Sequence, residues 1–348
     1  MLETLGEANT AAIIGLFGGL VLGLAASVGR FCTLGAIEDF HYSTDNRRLR
    51  MWGLAIGVAI IGTQSAIYFG QLDLLQTIYL DRVWNPVATV VGGFIFGYGM
   101  ALSGNCGLGA LARLGGGDIR SFVIVVVMGL SAYFVMSGPL AHFRIWLFPV
   151  ETNALNAQGL GQFLEDLIGL DPVYTGIVIG VALIFIALAD RRMLSSWTSI
   201  FWGAVVGAVI VSGWLGTHWV SENGFDVEAI ETHSFAAPIG DTIFYSMTAS
   251  GNSLSFSVGS VLGVVFGSFL GSLLKGQFRW EACEDPRELG RQVFGAILMG
   301  TGSILAVGCS IGQGISAFST LAFSAPFALI MIFLGASLGL KKMLEGYF

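Results

Sequence analysis

Nine windows of mostly apolar residues, each near the length needed to cross a bilayer, constrain this chain more than any other feature: 12–29, 52–70, 87–103, 122–136, 174–189, 200–215, 256–274, 293–307 and 323–340. A transmembrane helix needs about 20 such residues, so the windows predict an all-α polytopic membrane protein with a single transmembrane domain over residues 1–348. Charged residues make up 11% of the chain, against about a quarter in a soluble domain, and no ordinary soluble fold fits that balance. Glycine, at 50 of 348 residues, is about twice its usual share, which predicts helices that approach one another closely. No basic patch suited to nucleic acid is present. The acidic N-terminus lacks the basic start of a cleaved signal, so the first span is expected to stay.

An odd number of spans puts the termini on opposite sides, and Lys and Arg collect in cytoplasmic loops. One set of loops holds Arg47, Arg48, Arg50, Arg113, Arg120, Arg191, Arg192, Lys275, Arg279, Arg287, Arg291, Lys341 and Lys342, and the other holds only Arg82 and Arg144. The N-terminus is therefore expected outside and the C-terminus in the cytoplasm. In the long outer stretch 139–172, Leu160, Phe163, Leu164, Leu167, Ile168 and Leu170 follow helical spacing. They predict a short amphipathic helix, lying in the membrane interface or packed on the end of the bundle.

The chain also repeats itself. Gly92, Gly97, Gly99, Cys106 and Gly109 stand at one constant offset from Gly295, Gly300, Gly302, Cys309 and Gly312. The copies end in Gly104-Asn105-Cys106-Gly107-Leu108-Gly109 and Gly308-Cys309-Ser310-Ile311-Gly312. One motif-bearing span runs inward and the other outward, so two inverted halves are expected, 12–138 and 199–341, with 139–198 as a connector. Many transporters are built this way, with the substrate site near the midplane. The windows before the two motifs are shorter than a full crossing, which predicts each cysteine at the tip of a re-entrant element. At an offset one larger, Arg30-Phe31-Cys32 meets Ser234-Phe235-Ala236, so the stretch 233–252 is expected to dip back into the protein, and Cys32 has no cysteine counterpart.

Cys32, Cys106 and Cys309 each lie where a span ends among small residues. No CxxC pair and no His or Cys at ligand spacing stands beside them, so no metal, cofactor or catalytic residue is expected. Glycines allow a concave backbone that presents N–H groups to an anion, and a broken helix adds the positive end of its dipole. A buried thiol away from cations stays protonated and offers its S–H to a soft, sulfur-bearing anion more readily than to a hard oxyanion. Gly104, Gly107, Gly109, Gly308 and Gly312 would form the cradle, completed by Asn105, Ser310 and Gln313; a helix-to-helix hydrogen bond is the other role open to Gln313. Arg30 either attracts an anion at the inner mouth or reaches out to the interface. Glu38, Asp39 and His41 read as a solvated helix end, His142, His218 and His233 carry no pattern, and Cys283 reads as a surface or packing cysteine. A buried cysteine alone reads as apolar filler; repeat-related placement of two favours a shared role.

Gly29-Arg30-Phe31-Cys32 and the segments 104–109 and 308–312 resemble the three cysteine motifs of the YeeE/YedE sulfur-transport family of bacterial inner-membrane proteins, a likeness that runs from Gly15 to about Lys342. The resemblance implies uptake of thiosulfate for sulfur assimilation, relayed between Cys32, Cys106 and Cys309 by S–H hydrogen bonds. It also implies a small cytosolic sulfur-carrier protein as partner, in addition to membrane lipid. Two alternatives stay open: transport of a selenium species, and a membrane enzyme that carries persulfide sulfur covalently on the same cysteines. The covalent route needs a thiolate and a resolving partner, which glycine-rich settings do little to provide. A structural subunit with incidental cysteines is the third. An outer loop bearing Glu222, Asp226, Glu228 and Glu231 would repel an anion, an effect that physiological salt screens beyond about 8 Å.

Overall fold

The computed structural model describes residues 6–43, 45–73, 77–149, 159–224, 229–281 and 285–345. Its helices are α1 (Glu7–Ser27), α2 (Thr33–Glu38), α3 (Arg47–Tyr68), α4 (Pro86–Ser103), α5 (Gly107–Gly115), α6 (Ile119–Met136), α7 (Ala141–Leu147), α8 (Leu160–Ile168), α9 (Pro172–Leu188), α10 (Arg191–Leu194), α11 (Trp197–Asn223), α12 (Ala237–Thr248), α13 (Phe256–Leu274), α14 (Pro286–Leu305) and α15 (Ser324–Leu344). Two π-helical turns, Asp39–Ser43 and Gly312–Ala317, complete the described elements. Short polar residues start the spans. Asn85, Asp118, Asp171, Ser255 and Asp285 each accept a first-turn N–H, and Pro86, Pro172 and Pro286 follow where no N–H is needed.

Every apolar window falls on a helix, and among the described residues 7 segments are long and apolar enough to cross a membrane. Two of the nine windows lie outside that count: α9 has 17 residues, and α14 has 20 but opens on Arg287, Glu288 and Arg291. The third span differs from expectation. α4 and α5 run on as one apolar segment of 30 residues, Pro86–Gly115, so Cys106 interrupts a span and does not sit at the tip of an element that turns back. The cause is local: Gly104, at φ 73°, ends α4, and Cys106 at once begins α5.

Glycine sets how the helices pack. Gly15, Gly19 and Gly23 recur every fourth residue along α1, and Gly259, Gly263 and Gly267 do so along α13, so each set shares one face. A Cβ on Gly259, Gly263 or Gly267 would overlap the carbonyl oxygen of Ala12, Leu16 or Leu20, and one on Gly15, Gly19 or Gly23 that of Phe256, Ser260 or Val264. α4 crosses α14 in the same manner. Gly99 faces Gly295 and Gly92 faces Gly302, and a Cβ on any of the four would stand 2.6 or 2.7 Å from the facing carbonyl oxygen. Small residues on both sides are what let backbones meet in lipid. Helix neighbours come in matched sets: α1 packs on α13 as α11 packs on α3, α4 on α15 as α14 on α6, and α2 on α15 as α12 on α6. α8 is held at the bundle by the Leu160 N–H, which donates to the Leu321 carbonyl at 2.8 Å, and by Phe163, edge-on to Phe323.

Candidate functional site

Each of the three cysteines stands where one helix has ended and another begins. Two residues earlier the backbone turns left-handed, at Arg30 (φ 56°), Gly104 (φ 73°) and Val307 (φ 57°). For Arg and Val this costs about 1–2 kcal/mol, which the surrounding packing has to offset. Cys32 and Cys106 then occupy the N-cap positions of α2 and α5. The carbonyls of Cys32, Cys106 and Cys309 accept the N–H groups of Ala36 (3.1 Å), Ala110 (2.8 Å) and Gln313 (2.8 Å). The sulfurs of Cys106 and Cys309 accept from a glycine three residues on, Gly109 to Cys106 (3.3 Å) and Gly312 to Cys309 (3.5 Å), whereas the Cys32 side chain makes no such cap. A thiol whose sulfur accepts from its own turn keeps its S–H for a partner outside it.

The site residues fall into two groups. Cys32 is half-buried and Cys106 is 1% exposed, their side chains are neighbours, and the Thr33 hydroxyl is buried with no hydrogen-bond partner among the described residues. Arg30, Cys32, Gly104, Asn105 and Gly109 line a cavity of about 520 Å³ together with Glu38, Arg48, Arg113 and Gln277. Cys309 is equally buried, and its sulfur also accepts the Phe235 N–H at 3.3 Å and lies 3.7 Å from the Ser234 hydroxyl. Gly308 and Ser234 line a second cavity, of about 450 Å³. Ser257, at the start of α13, lines the second cavity and Gln277, just past its end, lines the first. With 19 residues and a rise of 1.5 Å each, α13 is about 28 Å long, and the two cavities touch its opposite ends.

Phe235 joins the groups. Its N–H holds Cys309, while its carbonyl lies so close to Gly107 that a Cβ there would stand 2.8 Å away. The segment before α12 is thus wedged between the two repeated motifs. Gly312 leaves room for Ser234 and Tyr79, whose hydroxyls would meet a Cβ at 2.7 and 3.3 Å. Ser310 is 1% exposed, and its hydroxyl has no hydrogen-bond partner among the described residues.

Gln313 takes the packing role of the two open to it. Its amide donates to the carbonyls of Ala306 (2.6 Å) and Val307 (3.1 Å), and its oxygen accepts from Ser324 (3.0 Å). Gln313→Leu would leave those carbonyls unpaired, at a cost of about 2–3 kcal/mol, read as a lowered melting temperature of the purified protein; an unchanged one would refute this role. Glu38 lines the Cys32 cavity, whereas Asp39 pairs with Arg48 at 3.3 Å and His41 bonds Ser337 at 2.8 Å. His233 is buried, with Nδ1 bonded to Ser260 at 2.7 Å. Cys283, Asp226 and Glu228 lie outside the described residues, and among those described no three His, Cys, Asp or Glu side chains gather as for a metal.

Sequence reasoning missed Thr33, Tyr79 and Ser234 as neighbours of the thiols. It also passed over a legible signal: Cys32, Cys106 and Cys309 each open a Cys-x-Leu-Gly or Cys-x-Ile-Gly run. Comparing the halves at a fixed offset hides this, because Cys32 and its turn belong to a different element from the other two.

Two relatives extend over most of the chain. One, from Spirochaeta thermophila, is named thiosulfate transporter TsuA and is 26% identical over 332 residues, 92% of this chain and 96% of the relative. Another of the same name, from Escherichia coli, is 27% identical over 333 residues, covering 92% and 91%. The pattern that defines the family described as Sulphur transport matches residues 28–338, a span that includes Cys32, Cys106 and Cys309, and the chain belongs to that family.

Proposed function

We propose that the chain imports thiosulfate, or a closely related soft sulfur anion, across the bacterial inner membrane for sulfur assimilation, with no chemical step. The anion passes from Cys309 to Cys106 and then Cys32 by S–H hydrogen bonds. The shared cap of the two repeat-related motifs carries this reading: at Cys106 and at Cys309 the sulfur accepts a glycine N–H of its own turn and keeps its S–H to donate. The names of the relatives support thiosulfate as the cargo. The unpartnered Ser310 hydroxyl supplies a second donor beside Cys309. Gly104, Asn105, Gly107, Gly109, Gly308 and Gly312 shape the cradle, and Arg30 lies at the exit.

Arg30, Arg48 and Arg113 line the Cys32 cavity, and cytoplasmic ends are rich in such residues. That end faces the cytoplasm, where a small sulfur-carrier protein receives the product of transport, and the Cys309 cavity is the entrance. Two inverted halves, 12–138 and 199–341 with 139–198 between them, account for the matched helix neighbours.

The test is growth on thiosulfate as sole sulfur source in a bacterial strain lacking its own importers, with the wild type beside Cys32→Ala, Cys106→Ala and Cys309→Ala at equal membrane expression. Rescue by the wild type alone is the expected result. Rescue by all four would keep the cargo and remove the relay. No rescue would move the reading to a selenium species, and a persulfide mass on any of the three cysteines would replace hydrogen bonding by covalent carriage.

A further inference from the structure

Of the 16 Lys and Arg residues, only Arg82 and Arg144 fall in the outer loops. Both line the 450 Å³ cavity that leads to Gly308 and Ser234, and both line the smaller cavity beside it, against Val307 and Gln313. Two residues that break the segregation of charge thus converge on one place, next to the turn that presents Cys309. Random scatter over the loops would not bring them together.

Their electrostatic setting is unusual as well. Among the described residues neither guanidinium makes an ion pair with a carboxylate, and Arg144 Nε is buried without a hydrogen-bond partner. Partial burial and then the nearby charge of Arg82 hold Arg144 below the usual arginine range, so the two cations are close enough to repel. Two carboxylates also line the cavity, where Asp241 accepts from Tyr133 at 2.5 Å and Glu231 from Ser257 at 3.1 Å, and neither forms an ion pair with Arg82 or Arg144. A pair of guanidiniums held together, with both cavity carboxylates beyond ion-pairing distance, is matched to a small anion carrying two negative charges, which relieves the repulsion and fills the open Nε.

We infer that Arg82 and Arg144 form a capture site for small divalent oxyanions and thio-oxyanions at the mouth of the Cys309 cavity, one step ahead of the thiol. The inference rests on the proposed orientation and adds a selection that the thiols do not make: the arginines select by charge, and the thiols select by softness. It also answers the acidic outer loop, whose repulsion is screened beyond about 8 Å while the arginines act inside the cavity.

The experiment measures thiosulfate, sulfate and chloride binding to the purified protein, together with the concentration dependence of thiosulfate uptake, for the wild type, Arg82→Gln, Arg144→Gln and the double variant. Each single change is expected to weaken binding of both divalent anions about tenfold, as for a lost hydrogen bond to a charged group, and to raise KM with little change in maximal rate. Cys309→Ala should differ from these in lowering the maximal rate. Sulfate should bind the wild type without being carried, and chloride should not compete. A double variant with wild-type affinity and KM would overturn the capture site and leave the proposed cargo standing. Loss of anion binding in the double variant, alongside a wild type that fails the growth test, would keep the site and remove the cargo. If the glutamine variants do not fold, labelling of wild-type arginines with a dicarbonyl reagent decides: Arg82 and Arg144 should be protected by sulfate and not by chloride, and equal labelling with either would refute the site.

Discussion

Cys309→Ala is expected to lower thiosulfate uptake about a hundredfold at equal membrane expression, and Cys309→Ser about tenfold. The sulfur at this position does two separable things. It accepts the N–H groups of Gly312 and Phe235, and its S–H remains to donate. Alanine removes both, which costs about 1 kcal/mol of cap stability and about 1.5–3 kcal/mol of donation to a charged partner. Serine keeps the cap, since a hydroxyl is a favoured capping group, so its melting temperature should match or exceed that of the wild type. What serine loses is the longer, softer reach of sulfur. Uptake of labelled thiosulfate beside thermal melting separates the two roles. An alanine variant that transports at the wild-type rate would reduce Cys309 to a cap.

Gly259→Leu is expected to leave almost no folded protein in the membrane. A side chain there overlaps the Ala12 carbonyl, and because the obstacle is backbone within a helix it has no rotamer to change. α1 and α13 would have to part along three successive turns, since Gly263 and Gly267 repeat the contact. Strained insertions into packed cores cost about 1–3 kcal/mol, and this one undoes a whole helix pair. Gly290→Ala is the control: nothing lies within 4 Å of its added Cβ, and the exchange in a helix gains up to about 1 kcal/mol. Detergent extraction followed by size-exclusion chromatography reads both, and a monodisperse Gly259→Leu peak at wild-type yield would refute the argument.

The helices were legible because an apolar run long enough for a bilayer has few alternatives, and every window found its helix. Their ends were less so. The window 293–307 begins well after α14 does, since hydropathy falls at Arg287, Glu288 and Arg291 although Asp285 and Pro286 have already started the helix. The glycine coincidences were visible in the sequence, but their meaning was not. Gly92 and Gly99 align with Gly295 and Gly302, yet each meets the other's counterpart across the crossing, a relation that exists only in three dimensions. Ser234 and Phe235 reach Cys309 over 74 or 75 residues of chain, and no local pattern announces such a contact. For Gln313 the sequence left a place in the cradle and a helix-to-helix hydrogen bond both open; only the positions of Ala306, Val307 and Ser324 decide for the second.

The crossing of α4 and α14 has a mechanical consequence. Backbone lies against backbone there, with no layer of side chains whose rearrangement could absorb sliding. The helices that carry Cys106 and Cys309 therefore behave as one stiff strut, and the separation of those two thiols is a fixed dimension of the molecule.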